Sequence, residues 1–235
     1  MSVSRGYVGP TCRKTARFTV FYQFFVLIIT MVLTGCGASD DPAAGKRLKD
    51  LGVILQSQND KFYSLNMIGK PITTEVAADV ASLGNLKNLD FKDSELTDEI
   101  FTTAVGNLNL VSVVLSNTAI TDKGLPAISG HGRIEAIFLN DTGIGDEGLK
   151  AIGGLASVTE LNLSKTKVTS AGLKHLSRMK NLQRLILDDT AVDDSGLANL
   201  KTLPSLKVLE LRNTAVTIAG IKDITGAISG LICEQ

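Results

Sequence analysis

Residues 182–200 read LQRLILDDTAVDDSGLANL, and this stretch decides the fold. Leu182, Leu185 and Leu187 fit the buried side of a short strand, and Leu197 and Leu200 fit a short helix behind it. The pattern returns at a fixed interval of 24 residues, four times earlier in the chain and once later. Without insertions or deletions, the six repeats open at Leu86, Leu110, Ile134, Val158, Leu182 and Leu206. Such a period predicts stacked units that together bury one continuous core.

Four polar or glycine positions of the repeat have predictable roles. The hydroxyl at the ninth position is expected to bond the backbone where the chain leaves the strand, at Ser94, Thr118, Thr142, Thr166, Thr190 and Thr214. Helix-capping residues dominate the twelfth position, at Thr97, Thr121, Gly145, Thr169, Asp193 and Thr217. A negative charge favouring the helix N-terminus follows at Asp98, Asp122, Asp146 and Asp194. Close approach of neighbouring helices is expected at Gly124, Gly148, Gly172, Gly196 and Gly220.

These residues carry a resemblance to a known family. The Thr-Asp-x-Gly-Leu signature is similar to helical leucine-rich repeats of the ribonuclease-inhibitor-like or cysteine-containing-like class, and similar repeats occur in bacterial lipoproteins. The resemblance covers residues 62–224. It implies an α/β leucine-rich-repeat solenoid, a horseshoe arc with a parallel sheet on the concave side and short helices on the convex side.

The first 35 residues have the layout of an export signal. A basic segment, residues 5–17, precedes the apolar run FTVFYQFFVLIITMVLT at residues 18–34. At the end of this run, residues Leu33-Thr34-Gly35-Cys36 resemble the lipobox of bacterial lipoproteins, which implies cleavage before Cys36 and attachment of fatty acyl chains such as palmitate to it. Two or more acyl chains hold a protein stably at a membrane. The alternative is an uncleaved transmembrane anchor, because the 17 apolar residues are just long enough to span.

The resemblance also implies a location. In bacteria that sort lipoproteins by the residue after the lipidated cysteine, Gly37 rather than aspartate favours the outer membrane over the inner one. The expected location is therefore the cell envelope, with the body in the periplasm or at the cell surface.

Further segments are predicted on both sides of the repeats. Residues 36–45 are predicted to be the lipidated cysteine and a flexible tether. Residues 46–61 are predicted to form a capping helix, with Leu48, Leu51 and Leu55 at helical spacing, followed by a turn. Residues 62–229 hold one degenerate and six regular repeats, and residues 230–235 are predicted to be a capping strand.

Composition argues against several classes of protein. The net charge is zero, but residues 36–235 carry 20 basic and 24 acidic side chains because the first 35 residues hold four basic ones and no acidic one. A mildly acidic body without a recognisable nucleic-acid motif indicates that nucleic acid is not the partner. Three cysteines, Cys12, Cys36 and Cys233, form no disulfide framework, and Cys233 is expected to be an inert, half-buried thiol.

One stretch imitates a nucleotide-binding loop. Residues 143–148, GIGDEG, match the GxGxxG pattern. The equivalent residues of sister repeats, 119–124 and 191–196, lack the first two glycines, so no nucleotide or other cofactor is predicted.

The remaining candidates for chemistry have simpler interpretations. His131 and His175 fall at different repeat positions and are interpreted as surface histidines rather than a metal pair. Asp93, Asp141 and Asp189 stand in alternate repeats, roughly 10 Å apart, and are interpreted as solvated carboxylates. Helix capping explains the aspartates at 98, 122 and 146 without a calcium ion. The sequence therefore predicts no catalytic site, no metal site and no enzyme.

The recognition surface is predicted on the concave sheet, at the third, fifth and seventh positions of the repeats. Val114, Phe138 and Ile186 form an apolar row there, interrupted by Asn162, and charged residues surround it. An aromatic anchor with a polar rim is typical of protein interfaces, although β-branched and aromatic residues also simply suit strands. The predicted protein-binding residues are Val114, Phe138, Asn140, Glu160, Asn162, Arg184, Ile186, Asp188 and Arg212.

Two functions remain open. The favoured one is a membrane-tethered protein–protein interaction module that recognises an envelope or secreted protein through this face. The alternative is a glycan- or peptidoglycan-binding element, or a structural spacer, of the cell envelope. Sugar sites usually stack rings on exposed aromatic side chains, and the chain has no tryptophan. Phe138 is the one aromatic residue at the predicted positions, which favours a protein partner.

Overall fold

The structure, a computed structural model, describes residues 40–59, 61–106 and 108–235; the predicted signal and Cys36 lie outside these residues. One nine-stranded sheet runs through the described part with its strands in chain order. The strands are β1 (Ile54–Gln58), β2 (Lys61–Asn66), β3 (Asn88–Asp90), β4 (Ser112–Val114), β5 (Ala136–Phe138), β6 (Glu160–Asn162), β7 (Arg184–Ile186), β8 (Val208–Glu210) and β9 (Ile232–Glu234). The helices are α1 (Pro42–Asp50), α2 (Thr74–Ala81), α3 (Asp98–Val105), α4 (Asp146–Ile152), α5 (Asp194–Leu200) and α6 (Ile218–Ala227), with 3₁₀ helices at Leu125–Ile128 and Gly172–Arg178.

The 24-residue period of the sequence sets the register in which neighbouring strands of the sheet pair. From β2 to β9 all neighbouring strands are parallel, and each residue pairs with the residue one period later, as Leu161 does with Leu185 and Leu209 with Cys233. Each regular strand is three residues long and begins at the third position of its repeat. A helix follows every strand from β2 to β8, so the predicted α/β solenoid is confirmed.

The core lies between the sheet and the helices. The first, fourth and sixth positions are buried as predicted; Val158, Leu161 and Leu163, for example, are all 0% exposed. Leucines from the helices close the core from the other side, and a single hydrophobic cluster extends from Ala44 to Leu231. Each repeat therefore buries its apolar residues against its neighbours.

The ninth-position hydroxyls make the predicted backbone bonds. The Oγ1 atoms of Thr142 and Thr166 donate to the carbonyl oxygens of Leu139 and Leu163, each at 2.6 Å. Ser94, Thr118, Thr190 and Thr214 make the same bond in their repeats. These bonds satisfy a carbonyl group at the point where the chain turns out of the sheet.

The eighth position has a role that was not predicted. It is left-handed in every regular repeat, with φ between 53° and 60°, at Asp93, Asn117, Asp141, Lys165, Asp189 and Asn213. Asparagine and aspartate adopt this conformation more readily than other residues with a side chain. The aspartates at 93, 141 and 189, interpreted above as solvated carboxylates, are therefore also backbone residues of the turn.

The thirteenth-position aspartates bind the next repeat. Asp146 accepts hydrogen bonds from the backbone nitrogen of Thr169 at 2.9 Å and from its Oγ1 at 2.7 Å. We call this pair of bonds, which recurs between Asp98 and Thr121 and between Asp194 and Thr217, the inter-repeat clasp. The sequence had assigned these carboxylates to their own helix N-termini, and the contacts show that they also join neighbouring repeats.

The clasp explains the fifteenth-position glycines. A Cβ atom at Gly172 would collide with the carboxylate of Asp146, and one at Gly220 would collide with that of Asp194. The expectation that glycine permits close approach between repeats is confirmed. The approaching group is an aspartate carboxylate of the preceding repeat at four of the five glycines and Ser170 at Gly196.

The N-terminal cap differs from the prediction at both of its ends. Helix α1 begins at Pro42, inside the predicted tether, because Asp41 caps it by accepting from the backbone nitrogen of Ala43 at 2.9 Å. Leu55, predicted to be helical, lies instead in β1, which pairs antiparallel with β2. The helix ends before Gly52, whose φ of 73° turns the chain into the strand.

At the other end, β9 continues the sheet as its seventh parallel pairing. Cys233 in this strand is partly buried against the core, and burial raises the pKa of its thiol. None of the helices in the described part of the chain is long and apolar enough to cross a membrane.

His131 is not the surface histidine that the sequence indicated. Its side chain is half-buried, and burial lowers the pKa of the imidazole below its usual value. Within the described residues its enclosed Nδ1 atom has no hydrogen-bond partner.

Candidate interaction face

The outward side chains of the sheet form one continuous surface, which we call the sheet face. It consists of the third and fifth residues of each repeat, whose intervening fourth residue is buried, and of the seventh residue that follows. Strands β4 to β8 and the residues just after them carry all nine predicted protein-binding residues on this face. The predicted lipid attachment site, Cys36, lies outside the described residues.

The apolar part of the sheet face is smaller than predicted. Val114 and Phe138 pair in register on β4 and β5, and both are half-buried. Ile186, predicted as a third exposed apolar residue, is only 8% exposed. It lies in register between Asn162 on β6 and Glu210 on β8. Ile186 therefore contributes little exposed surface to the predicted apolar row, and Phe138 is its central apolar group.

A buried carboxylate organises the C-terminal part of the face. Glu210 is 6% exposed and lies between two arginines. Its Oε1 accepts from the Nη2 of Arg184 at 2.6 Å, and its Oε2 accepts from the Nη1 of Arg212 at 2.9 Å. A carboxylate removed from water in this way requires such charged donors.

Three more acids extend these ion pairs into a ladder across β6 to β9. Glu160 lies 3.9 Å from Arg184, and Asp188 lies 3.2 Å from Arg212. Arg212 also pairs with Glu234 in β9. We use the name ionic ladder for Glu160, Arg184, Asp188, Glu210, Arg212 and Glu234, which together carry four acidic and two basic groups.

The ionic ladder orients the side chains of Arg184 and Arg212 and leaves them about half exposed to solvent. The hydrogen bond that each arginine donates to Glu210 is the largest cause that raises the pKa of both Arg184 and Arg212 above the ordinary arginine value. Their side chains remain 49% and 48% exposed. Two oriented guanidinium groups are therefore accessible on the same face as the apolar pair of Val114 and Phe138, two and three strands beyond β5.

Amide side chains between the apolar and the charged parts are bonded internally. Ser116 Oγ donates to Asn140 Oδ1 at 2.6 Å. Asn162 Oδ1 accepts from the backbone nitrogen of Ser164 at 3.0 Å and from its Oγ at 2.9 Å. These bonds fix the orientation of both asparagines before any partner binds.

Two contributors to the face were missed. Strand β1 adds Ile54, which is 62% exposed and lines a depression of about 370 Å³ with Asn66, Asp90 and Ser112. It was missed because leucine spacing indicated a helix there. Glu210 was left out of the predicted site, although its position on the strand next to that of Arg184, two residues before Arg212, was a readable signal.

The structure bears on two further kinds of site, a metal site and a nucleotide-binding loop. Among the described side chains, no group of three or more histidine, cysteine or acidic residues could hold a metal ion. In the GxGxxG stretch the backbone nitrogen of Gly145 donates to Asp122 Oδ1 at 2.7 Å, and Gly148 packs against the same carboxylate. This loop therefore belongs to the joints between repeats.

Comparisons with known proteins agree with this architecture. The family model "Leucine Rich repeat" matches residues 106–129, 137–153 and 154–177. A search of curated protein sequences found no match. Among solved structures, an internalin (inlF) from Listeria monocytogenes aligns with a TM-score of 0.59 and 20% identity over 74% of this chain. An internalin C2 from the same species aligns with a TM-score of 0.55 and 19% identity over 82% of this chain.

The two internalins differ in how much of them is matched. The alignment covers 47% of the first, so this chain spans about half its length, and 92% of the second. At such low identity the likeness concerns the fold. The described part of the chain is thus an α/β solenoid of leucine-rich repeats, the fold that it shares with these internalins.

Proposed function

We propose that this chain is a membrane-tethered protein–protein interaction module whose sheet face recognises another protein of the envelope or a secreted protein. The observation that carries the proposal is that Phe138 on β5 and the ionic ladder across β6 to β9 lie on one continuous face. An aromatic side chain on the same face as oriented, half-exposed arginines has the composition of an interface core and its rim. Solenoids of this kind commonly bind through such extended surfaces. The proposed role is non-catalytic, and its partner is a protein rather than a nucleic acid or nucleotide.

Site-specific photocrosslinking in the source cell tests the face. A photoreactive phenylalanine analogue at position 138 of the full chain is expected to form a covalent product with one discrete protein. The product should disappear when Val114→Asp is added, because a carboxylate would then border the apolar site. The matched control carries the analogue at position 218, where Ile218 is 68% exposed but lies at the start of α6.

Three other results of the crosslinking experiment would contradict recognition of a protein by the sheet face. Products at position 218 alone would move recognition to the helical side. A product from position 138 that is removed by peptidoglycan hydrolase would establish the glycan-binding alternative. No product at either position would leave the structural spacer as the function.

We further propose that Cys36 is lipidated and holds the body in the cell envelope, at the outer membrane rather than the inner one, in the periplasm or on the surface. Support comes from the sequence Leu33-Thr34-Gly35-Cys36 after an apolar run. Labelled palmitate should enter the native chain and not Cys36→Ser. Labelling of both forms, or of neither, would contradict the anchor and favour the uncleaved transmembrane segment. The repeat class, ribonuclease-inhibitor-like or cysteine-containing-like, is likewise a proposal that rests on the Thr-Asp-x-Gly-Leu signature.

A further inference from the structure

The charges of the repeats are divided between two edges of the sheet. We define the carboxyl edge as positions seven to fifteen of each regular repeat, which follow the strand, and the amino edge as positions seventeen to twenty-four together with position two, which precede the next strand. Over residues 86–229 the carboxyl edge has 12 acidic and 5 basic residues, whereas the amino edge has 2 acidic and 9 basic residues. Because the strands are parallel and in register, all these segments meet at the same two edges.

The basic side chains concentrate in neighbouring repeats near the C-terminal half of the amino edge. Arg178, Lys180, Lys201 and Lys207 are all exposed there. Lys180 Nζ donates to the carbonyl oxygen of Thr202 at 2.8 Å, which brings it beside the residue that follows Lys201. Lys201 pairs with Asp223 at 2.6 Å; for Arg178, Lys180 and Lys207, the described residues contain no acidic partner within ion-pair distance. The cluster therefore presents net positive charge to solvent.

The chain enters the body at this same edge. Asp40 accepts from the backbone nitrogen of Phe62 at 2.6 Å and from that of Asn85 at 3.1 Å. The backbone nitrogen of Asp41 donates to the carbonyl oxygen of Ser82 at 3.3 Å. Ser82 and Asn85 occupy the return segment of the degenerate repeat, directly before β3, so the first described residues are tied to the amino edge.

The distance from this entry point to the proposed lipid is short. Cys36 precedes Asp40 by four residues. Four residues span at most about 14 Å when fully extended. Electrostatic attraction to an anionic surface extends over a Debye length, about 8 Å at physiological salt. A lipid on Cys36 would therefore hold the N-terminal start of the amino edge within about two Debye lengths of the headgroups, and the basic cluster lies further along this edge, in the fourth to sixth regular repeats.

We infer that the amino edge, around Arg178, Lys180, Lys201 and Lys207, binds the anionic phospholipid headgroups of the membrane in which Cys36 is anchored. This inference rests on the proposed lipid anchor. The acidic carboxyl edge is repelled by the same surface, so attraction and repulsion select one orientation. The strands then point away from the bilayer, and the sheet face stays accessible to a partner alongside the membrane.

Lysine footprinting of the lipidated full chain tests the orientation. The chain is inserted into preformed vesicles of phosphatidylcholine alone, or of phosphatidylcholine with one third phosphatidylglycerol, and acylation rates of individual lysines are measured by mass spectrometry. In anionic vesicles we expect several-fold slower acylation of Lys180, Lys201 and Lys207, with recovery in high salt. Lys123, Lys165 and Lys167 on the carboxyl edge are the internal control and should react alike in both vesicles.

Charge reversal provides the matched variants. Lys180→Glu with Lys207→Glu should abolish the protection of Lys201, whereas Lys165→Glu with Lys167→Glu should leave it intact. Equal footprints in the two kinds of vesicle would overturn the inference, as would protection that occurs in native membranes but not on protein-free anionic lipid, which would assign the edge to an acidic protein.

Flotation separates this inference from the anchor on which it rests. A chain that floats with neutral vesicles in high salt is anchored. Its lysine acylation rates then test only whether the amino edge binds anionic headgroups. A chain that fails to float under those conditions has no lipid anchor, which overturns the anchor and the inference together.

Discussion

Ser170 and Asp193 form an inter-repeat clasp in which the carboxylate has changed sides. The backbone nitrogen of Asp193 donates to Ser170 Oγ at 2.9 Å, and the same Oγ donates to Asp193 Oδ1 at 2.6 Å. At the preceding full clasp the carboxylate belongs to the earlier repeat, at Asp146, and the hydroxyl to the later one, at Thr169. One junction therefore keeps the two hydrogen bonds of the clasp while exchanging the residues that make them.

The first prediction concerns the ionisation of Asp193. Hydrogen bonds from the hydroxyls of Ser170, the largest cause, and Ser195 lower the pKa of this carboxyl from 3.8 to about 2. We expect Ser170→Ala to raise the pKa towards 3.8, as measured by carbon-13 NMR of the carboxyl group during an acid titration. An unchanged midpoint would show that Ser170 does not set this pKa.

The same shift determines how the bond depends on pH. Because the pKa of Asp193 is lower in the folded chain, its stabilising contribution is fully present above the unfolded value of about 4 and is lost as the pH falls through about 2. The difference in free energy of unfolding between the native chain and Ser170→Ala should therefore narrow as the pH falls from about 4 to about 2.

The second prediction tests the exchange of the carboxylate. Ser170→Asp alone places two carboxylates at one junction and should destabilise the fold by about 1–2 kcal/mol. Adding Asp193→Thr recreates the Asp–Thr pair of the other clasps and should recover most of that loss. A double-mutant cycle by urea unfolding measures the coupling. Strictly additive single effects would mean that the two residues do not interact.

The third prediction compares two glycines of α6. A Cβ atom at Gly220 would collide with the Asp194 carboxylate, so Gly220→Ala should destabilise the fold by about 1–3 kcal/mol. Gly226 has open space around its Cβ position, so Gly226→Ala should instead stabilise the helix by up to about 1 kcal/mol. Thermal unfolding of both variants gives the comparison, and similar effects at the two positions would refute the clasp as the reason for Gly220.

The fourth prediction concerns Lys165, which is the one eighth-position residue of the six regular repeats that is neither asparagine nor aspartate. Lys165 has a φ of 54°, whereas Asn117 and Asn213 at the same position donate to Asp93 and Asp189, each at 2.9 Å. Lys165→Asn should relieve the conformational cost and increase the free energy of unfolding by about 1 kcal/mol. Lys167→Asn, two residues away and without a positive φ, is the control and should change it by less than about 0.5 kcal/mol. Equal changes would assign the gain to lost charge.

The repeats could be predicted in detail because each of their signals is local. A strand from the third to the fifth position follows from the apolar alternation, and the threonine bond from Thr166 to Leu163 follows from the distance of three residues between them. The clasp could not be predicted in the same way. Asp146 and Thr169 are 23 residues apart, and they become neighbours only when the repeats stack.

The ends of the array were harder because one pattern fits two structures. Leu48, Leu51 and Leu55 have helical spacing, yet Gly52 divides them between a helix and a strand. Asp41 and Pro42 were a readable start signal for α1 that the small, polar composition of the tether concealed.

The position of the candidate site could be predicted from the sequence, but the exposure and contacts of its individual residues could not. The repeat register placed Phe138, Asn162 and Arg184 on one face because outward positions alternate with buried ones. The burial of Ile186 and the two arginine partners of Glu210 depend on contacts between side chains of different repeats, which a repeat register does not specify.

The reversed clasp limits how the number of repeats can change. Removing residues 123–146 would bring Asp122 to the position from which Asp146 now holds Thr169, so an Asp–Thr clasp would re-form. Removing residues 171–194, also one full period, would oppose Ser170 to Thr217, and no carboxylate would remain at the junction. Loss of one repeat by unequal recombination can therefore preserve the inter-repeat clasp when residues 123–146 are removed. The same loss leaves a junction without a carboxylate when residues 171–194 are removed.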